Sequence, residues 1–275
     1  MSMFDLTGKV AIVTGATKGI GLGIAQAIAA QGAKLVVASR DQAACDALAE
    51  ELNKTYGKGA KIAHGIAFDL DRLEDMQGLA DKAAAVWGGI DILVCNAAIL
   101  PYIGPSNDTP PELFDRILTR NIHHNFRLCQ AVRPSMKARG GGAIVLIGSE
   151  AGHGASPLVM AYSVAKAGLA HMARNLADEF VGDNIRVNCV APGLVRSFSS
   201  DSTLTDENVR AAMIDNIPMK RIGEPADIAG AVVYYVSEAS TYTSGGVLIV
   251  DGGRAFLNPP SHGGGLADVA GTSYN

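Results

Sequence analysis

The sequence lacks the features of a nucleic-acid or membrane protein. The net charge of its 275 residues is -4, so it carries no basic footprint for nucleic acid. No apolar run reaches the roughly 18 residues that would indicate a membrane-spanning helix. The N-terminus, "MSMFDLTGKVAIVTG", has no basic start followed by an apolar stretch, as a secretory signal would. We therefore predict a cytoplasmic protein with neither a nucleic-acid nor a membrane partner.

Cysteine and histidine are also sparse. The chain has 4 cysteines, at positions 45, 95, 129 and 189, which lie far apart and form no CxxC motif. We interpret them as buried thiols in a reducing compartment, not as disulfide partners or metal ligands. His123 and His124 are adjacent, and adjacent side chains on a helix point about 100° apart, which suits chelation poorly. We therefore predict no metal site.

Short apolar runs alternate with longer helical patterns along most of the chain. This alternation predicts an α/β, single-domain Rossmann fold, in which a doubly wound parallel seven-stranded sheet has helices on both faces. The strands are expected at 9–15, 33–40, 61–70, 91–98, 142–149, 184–193 and 245–253. The helices are expected at 21–32, 41–57, 72–88, 112–139 and 157–181, with Pro225 in the first turn of another.

The predicted domain spans residues 1–257. The stretches 100–111 and 196–208 have the polar, Pro- or Ser-rich character of loops. Residues 258–275 are rich in Gly, Pro and Ser, and we interpret them as a C-terminal tail or as an arm laid on a neighbouring subunit.

The first predicted strand runs directly into "TGATKGIG", residues 14–21, and a helix follows. Glycines in this context let the backbone turn tightly and approach a phosphate, while the helix N-terminus offers N–H groups to a pyrophosphate. The loop therefore predicts a dinucleotide site, whose candidate residues are Gly15, Thr17, Lys18, Gly19, Ile20 and Gly21.

The end of the second strand bears on the choice of dinucleotide. An acidic residue there would hold the ribose of NAD, whereas a nearby arginine accommodates the 2′-phosphate of NADP. The chain has Ser39 and Arg40 at this place, and Lys18 adds a second cation. NADP(H) is therefore favoured and NAD(H) stays possible, because Asp41 could compete for Arg40 although its expected role is to cap the next helix.

Tyr162 and Lys166 are four residues apart, so they share one face of the predicted helix. Ser149, thirteen residues before Tyr162, lies where the fifth strand ends, at the rim where ligands bind in such sheets. A lysine ammonium lowers the pKa of a neighbouring tyrosine, which could then exchange a proton with a carbonyl or alcohol oxygen held by the serine. This combination predicts the reactive centre of an enzyme.

With these motifs the chain resembles the classical short-chain dehydrogenases/reductases from about residue 5 to residue 253. The motifs that carry the resemblance are "TGATKGIG" (14–21), "CNAA" (95–98), "LTRNIHHNF" around Asn121, "IGS" ending in Ser149, "YSVAK" (162–166) and "NCVAPG" (188–193). Two positions depart from the family: Ala98 stands where glycine is common, and Ser197 where threonine is frequent.

The resemblance implies a role for each matching residue. Tyr162 would be the general acid/base, Lys166 its electrostatic partner and a ligand of the nicotinamide ribose, Ser149 the holder of the substrate carbonyl, and Asn121 the holder of a water in the proton relay. Asp69 would meet the adenine ring, with Leu70 next to it. Further cofactor contacts are implied for Ser39, Arg40, Asn96, Pro192, Gly193, Val195 and Ser197. The resemblance also implies a homotetramer, with a dimer as the alternative.

The pattern is most similar to NADP(H)-dependent carbonyl reductases, so we expect a hydride transfer between NADP(H) and a carbonyl or secondary alcohol. The small-molecule substrate is expected to meet Ser149, Tyr162, His153, Arg196 and Phe198. Two alternatives stay open: an NAD-dependent alcohol, diol or sugar dehydrogenase of the same family, and a non-catalytic dinucleotide-binding regulator.

Overall fold

The computed structural model describes residues 2–196 and 206–254. Its seven strands form one sheet in the order β3-β2-β1-β4-β5-β6-β7, and every neighbouring pair is parallel. The strands are β1 Val10–Thr14, β2 Lys34–Ser39, β3 Ala63–Ala67, β4 Ile92–Cys95, β5 Gly142–Ile147, β6 Ile185–Pro192 and β7 Val247–Val250. The predicted seven-stranded parallel sheet is therefore confirmed.

The α-helices of the described residues cover both faces of the sheet. They are α1 Gly19–Ala30, α2 Gln42–Tyr56, α3 Glu74–Trp87, α4 Pro111–Leu118, α5 Asn125–Ala138, α6 Met160–Phe180, α7 Glu207–Asp215 and α8 Pro225–Val236. One buried cluster packs α1, α2 and α8 against one face, and a second packs α3, α5 and α6 against the other. The doubly wound arrangement is confirmed.

The strands read as unbroken apolar runs because both sides of the sheet are covered. All residues of β1 and β4 are buried, so neither strand alternates between apolar and polar positions. The chain crosses over between these two neighbouring strands, since β1 pairs with β2 on one side and with β4 on the other. Such a crossover opens a crevice beyond the carboxyl ends of the strands, where ligands of this fold bind.

The helix predicted at 112–139 is interrupted. Helix α4 ends at Leu118, a π-helical turn occupies Thr119–His124, and α5 begins at Asn125. The apolar spacing of the sequence does not reveal one turn of wider winding, so the prediction of an unbroken helix was wrong. Single π turns inside α-helices occur frequently at functional sites, and this one contains Asn121.

The second difference lies after β6. The stretch 196–208 was predicted to be a loop, but α7 begins at Glu207, with the Asp206 carboxylate accepting from the backbone N–H of Asn208 at 2.8 Å. The polar residues that suggested a loop include this N-cap. Ser197 and Phe198, and the proposed tail 258–275, lie outside the described residues. Within the described ranges no helix is long and apolar enough to cross a membrane.

Candidate active site

Hydrogen bonds join the ends of the two central strands. The Thr14 hydroxyl accepts from the backbone N–H groups of Asn96 and Ala97, each at 3.0 Å. In return, the Asn96 side-chain amide donates to the carbonyl oxygens of Thr14 at 3.0 Å and Gly15 at 3.2 Å. Asn96 therefore fixes the start of the glycine loop against the loop after β4.

The glycine loop forms a cradle that side chains would fill. Gly15 and Gly19 have positive φ angles of 64° and 55°, which favour glycine. A Cβ at Gly15 would lie 2.9 Å from Asn96 Nδ2, and one at Gly21 would overlap the Gly15 carbonyl. The first turn of α1, which has no side-chain N-cap hydrogen bond in the described structure, directs its N–H groups toward this cradle. A pyrophosphate fits this arrangement.

The end of β2 lies beside the glycine loop. The Thr17 hydroxyl donates to the Ser39 hydroxyl at 3.1 Å. The residues that follow these two in the sequence, Lys18 and Arg40, have exposed side chains. The Asp41 carboxylate accepts from two backbone N–H groups of α2, at 2.9 and 3.3 Å. The expected capping role of Asp41 is therefore confirmed, and this carboxylate is engaged by the helix.

The loop after β3 contains the predicted adenine contacts. The Asp69 carboxylate accepts from the backbone N–H of Asp71 at 3.0 Å, which shapes a tight turn. Leu70 is buried, and its carbonyl oxygen lies 2.6 Å from Nδ1 of His124. The sequence does not predict this contact of His124. The adjacent histidines suggested only a poor metal chelate. The contact becomes visible only when the π turn is placed.

Tyr162 and Lys166 lie in the first and second turns of α6, one turn apart as their spacing predicts. The Lys166 ammonium is 5.4 Å from the centroid of the Tyr162 ring and donates to the carbonyl oxygen of Ile147 at 2.7 Å. Ser149 follows β5, where its hydroxyl accepts from the backbone N–H of Ala151 at 3.2 Å and also hydrogen-bonds the Tyr162 phenol. The structure thus brings the three side chains together.

Burial sets the proton affinities of this centre. It raises the pKa of Tyr162 to about 12, and the hydrogen bond from Ser149 opposes the rise. Burial also lowers the pKa of Lys166 to about 8, against the opposing influence of the Cys189 and Cys95 thiols. The sequence predicts that Lys166 lowers the phenol pKa, whereas in the structure desolvation is the largest influence and raises it. At neutral pH Tyr162 is a protonated donor.

Asn121 connects the π turn to the loop after β4. Its side-chain amide donates to the Ile99 carbonyl at 2.9 Å, and its Oδ1 accepts from the Ile99 N–H at 3.0 Å. Asn121 is fully buried, and its own carbonyl accepts from the Asn125 side chain at 3.0 Å. The Asn121 side chain is therefore occupied in holding the backbone of Ile99.

Two loops next to the start of α6 border an open cleft of about 620 Å³. The hydroxyls of Ser156 and Ser163 donate to nearby backbone carbonyls at 3.1 and 2.9 Å, and Leu158, at φ 70°, accepts from the N–H of Gly104 at 2.8 Å. The lining, which contains no charged side chain, consists of Pro105, Ser106, Gly154, Ala155, Ser156, Pro157, Leu158, Met160 and Ser163.

Of the other predicted substrate residues, His153 directly precedes the lining residue Gly154, Arg196 follows β6, and Phe198 lies outside the described residues. His153 is exposed, and partial desolvation, with a smaller contribution from Arg174, lowers its pKa below the usual value. The Arg196 guanidinium pairs with Glu224 at 3.0 Å, so its charge already has a partner. In the part of the chain that the structure describes, no three His, Cys, Asp or Glu side chains are grouped to hold a metal ion.

The segment after β6 packs against the residues that follow β7. Pro192 ends the strand, and Gly193 packs so closely on Asp251 that a Cβ there would lie 2.6 Å from the Asp251 Cα. Val195 is buried and forms an isolated parallel β-bridge with Gly223.

All four cysteines are buried and free, as their apolar surroundings predict.

A glycine cradle at the strand crossover beside a Ser149–Tyr162–Lys166 centre defines a nicotinamide-dependent oxidoreductase of Rossmann type. The model of the family described as enoyl-(acyl carrier protein) reductase matches residues 15–255. The dehydrogenase/reductase SDR family member 4 of Bos taurus is 38% identical over 248 residues, covering 90% of this chain and 88% of its own. The Mus musculus protein of the same name is 39% identical over 249 residues, with the same coverages.

Solved structures of dehydrogenases are also similar to this chain in fold and sequence. A 7α-hydroxysteroid dehydrogenase in complex with NADH and 7-oxo glycochenodeoxycholic acid is 35% identical with a TM-score of 0.85, covering 91% of this chain and 95% of that one. A gluconate 5-dehydrogenase from Burkholderia cenocepacia in complex with NADP and tartrate is 28% identical with a TM-score of 0.87, covering 93% and 98%.

The chain belongs to the short-chain dehydrogenase/reductase family. It is an oxidoreductase that acts on a CH–OH or C=O group with a nicotinamide dinucleotide. The predicted enzyme class is confirmed, and the alternative of a non-catalytic regulator is set aside.

Proposed function

We propose that the enzyme reduces a ketone or aldehyde with NADPH, using Tyr162 as the general acid. The observation that carries this proposal is the placement of Ser149, Tyr162 and Lys166 together beside the glycine cradle, where desolvation raises the pKa of the phenol and keeps it protonated at neutral pH. A protonated phenol is ready to donate to a carbonyl oxygen, whereas oxidation of an alcohol requires it to take up a proton.

The preference for NADPH rests on the groups at the end of β2. Lys18 and Arg40 are exposed cations beside the Thr17–Ser39 hydrogen bond. The carboxylate that could have favoured NADH, Asp41, is engaged as the N-cap of α2. A 2′-phosphate next to Ser39 would meet two cations, which bind phosphate strongly.

A nicotinamide dinucleotide held by the glycine cradle would supply the hydride. Ser149 holds the carbonyl oxygen of the substrate, and Tyr162 delivers the proton to that oxygen. Lys166, tied to the Ile147 carbonyl at 2.7 Å, places a positive charge beside the phenol and stabilises the phenolate that forms. The Asn121 carbonyl holds a water that restores the proton, while the Asn121 side chain holds Ile99 in place.

The cleft beside α6 favours a particular class of substrate. Its lining has no charged side chain, and the hydroxyls of Ser156 and Ser163 are bonded to backbone. An anionic substituent would gain no charged partner from this lining. We therefore assign uncharged, largely apolar carbonyl compounds as substrates, and we keep His153, Arg196 and Phe198 as the substrate contacts expected from the sequence.

The experiment is a titration of the purified protein with NADPH and with NADH, followed by energy transfer from Trp87 and the tyrosines to the nicotinamide. Tighter binding of NADPH supports the proposal, and a screen of ketones and aldehydes then measures NADPH consumption. Tighter binding of NADH would favour the alternative, an NAD-dependent alcohol, diol or sugar dehydrogenase. If neither dinucleotide binds, the assigned site is wrong.

We also propose that the enzyme is a cytoplasmic homotetramer, with a dimer as the alternative. Free, buried thiols suit a reducing compartment. Helix α6 exposes the apolar side chain of Val164, which a second copy of the chain would cover. Sedimentation equilibrium of the wild type and of Val164→Glu measures the mass, and an unchanged mass in the variant would place the interface elsewhere.

A further inference from the structure

One face of the helix that contains the π turn contacts the loop after β3. Arg116, Arg120 and His124 follow one another at intervals of four residues. The Arg116 guanidinium lies 3.0 Å from the Asp71 carboxylate, and the Arg120 guanidinium pairs with the same carboxylate. His124 Nδ1 reaches the Leu70 carbonyl at 2.6 Å. We call these three side chains the clamp.

The buried member of the clamp is His124. It is only 6% exposed, whereas the Arg116 and Asp71 side chains are 43% and 30% exposed. Partly exposed ion pairs contribute little to stability because water competes for both charges. The Leu70 carbonyl can only accept, so Nδ1 of His124 carries a proton and donates. Removing this donor leaves a buried carbonyl without its hydrogen bond, which costs more than a lost surface contact.

The π turn therefore holds two loops at the mouth of the crevice. Through His124 and Arg120 it holds Leu70 and Asp71, directly after Asp69. Through Asn121 it holds Ile99, in the loop after β4. The first loop lies at the adenine end of the proposed cofactor site, and the second lies toward the reactive centre.

We propose that His124 is a positioning residue for the adenosine half of the cofactor. By fixing the Leu70 carbonyl it holds the Asp69–Leu70 backbone in the conformation that binds adenine, and it takes no part in hydride or proton transfer. This inference rests on the proposed function, which places a nicotinamide dinucleotide in the crevice. A histidine that serves only the core would lower stability without favouring one end of the cofactor over the other.

The variant His124→Phe keeps an aromatic ring and removes the donor. His123→Phe is the matched control, because His123 lies in the same turn and is exposed. Isothermal titration calorimetry with ADP-ribose and with 2′-phospho-ADP-ribose measures the affinity of the adenosine half alone. We expect His124→Phe to weaken the tighter of the two ligands by about tenfold and His123→Phe to change it by less than about twofold.

The nicotinamide half provides the second measurement. With reduced nicotinamide mononucleotide as the hydride donor, kcat and KM of His124→Phe should equal those of the wild type, because this donor has no adenosine. With the full dinucleotide, KM should rise by about tenfold while kcat stays within about twofold. Equal losses with both donors would show a general structural defect and overturn the proposal.

Asp71→Asn keeps the inference testable if His124→Phe does not fold, which thermal unfolding followed by circular dichroism will show. This variant removes the ion pairs of Arg116 and Arg120 at a partly exposed position, and we expect about threefold weaker binding of the adenosine half. If His124→Phe folds and binds the adenosine half with unchanged affinity, the positioning role of the clamp is overturned while the proposed function stands. If Asp71→Asn has to replace that variant, unchanged affinity in Asp71→Asn has the same meaning. If the wild type binds neither ADP-ribose ligand but turns over the mononucleotide, the adenine site itself is misassigned and both proposals fall.

Discussion

The Lys166 ammonium donates to the Ile147 carbonyl at 2.7 Å, and Ile147 is the last residue of β5. Ser149 follows two residues later, so one hydrogen bond links the helix that carries Tyr162 to the strand that positions the serine. The link is fully inside the protein, since Lys166 is only 2% exposed. The reactive centre is thus fixed by backbone contacts as well as by its own side chains.

Tyr162→Phe removes the proposed general acid with little change in packing. We expect kcat for carbonyl reduction to fall by about 10³-fold, since a positioned acid contributes roughly 10²–10⁴-fold, while the dissociation constant of the dinucleotide stays near that of the wild type. Steady-state kinetics and the energy-transfer titration measure the two quantities. Tyr234→Phe is the control, because its hydroxyl bonds Thr243 at 3.0 Å, away from the crevice. Wild-type kcat in Tyr162→Phe would refute the assignment.

The stability of the protein should rise with pH because of Lys166. Its pKa is about 8 in the folded protein against an ordinary value of 10.5, so between these values the unfolded chain binds more protons. The free energy of unfolding therefore rises with pH in that window. The Cys45 and Cys189 thiols, whose pKa is raised from 9.0 to about 11, act in the opposite direction above pH 9.

Urea unfolding at pH 7, 8 and 9 measures this effect, with Lys166→Met as the reference. The wild-type free energy of unfolding should rise relative to that of the variant as the pH increases above 8, because subtraction removes most of the contribution of the thiols. Parallel curves for the two proteins would mean that the folded protein does not depress the Lys166 pKa.

Arg40→Asp tests the contact with the 2′-phosphate. We expect NADPH binding to weaken by about tenfold or more, since a hydrogen bond to a charged group is lost and a like charge is introduced, and NADH binding to improve. The control is Asp41→Asn, which removes a charge from the neighbouring position but keeps a good N-cap for α2. Its preference between the two dinucleotides should match that of the wild type. An unchanged preference in Arg40→Asp would contradict the assigned role.

Gly21→Ala tests the glycine cradle. The added Cβ would overlap the Gly15 carbonyl, so the loop must shift, and we expect dinucleotide binding to fall below detection in the titration. Gly78→Ala is the matched control inside α3, where an added Cβ meets nothing within 4 Å. It should raise the free energy of unfolding by about 1 kcal/mol through helix propensity. Retained binding in Gly21→Ala would place the phosphates elsewhere.

The strands, the glycine loop and the cap at Asp41 could be predicted from the sequence, because each depends on neighbours along the chain. The seven apolar runs differ from the observed strands only at their ends. The proximity of Ser149, Tyr162 and Lys166 followed from spacing and from the position of strand ends in a parallel sheet.

Other features depend on what the fold brings together. The high pKa of Tyr162 arises from desolvation, which a motif does not reveal, and the contact between His124 and Leu70 joins residues 54 positions apart. Helix α7 was missed because its capping residue, Asp206, has the same polar character as the residues that precede it in the sequence.

The π turn at Thr119–His124 has a consequence for how this chain tolerates change in length. Deleting one residue there would convert the π turn to ordinary α-helical winding from Pro111 to the end of α5. Yet each residue of an α-helix turns the chain by about 100°, so the Asn121 amide and the His124 ring could no longer face their loops together. The wider turn allows Asn121 to bond the loop after β4 while His124 bonds the loop after β3.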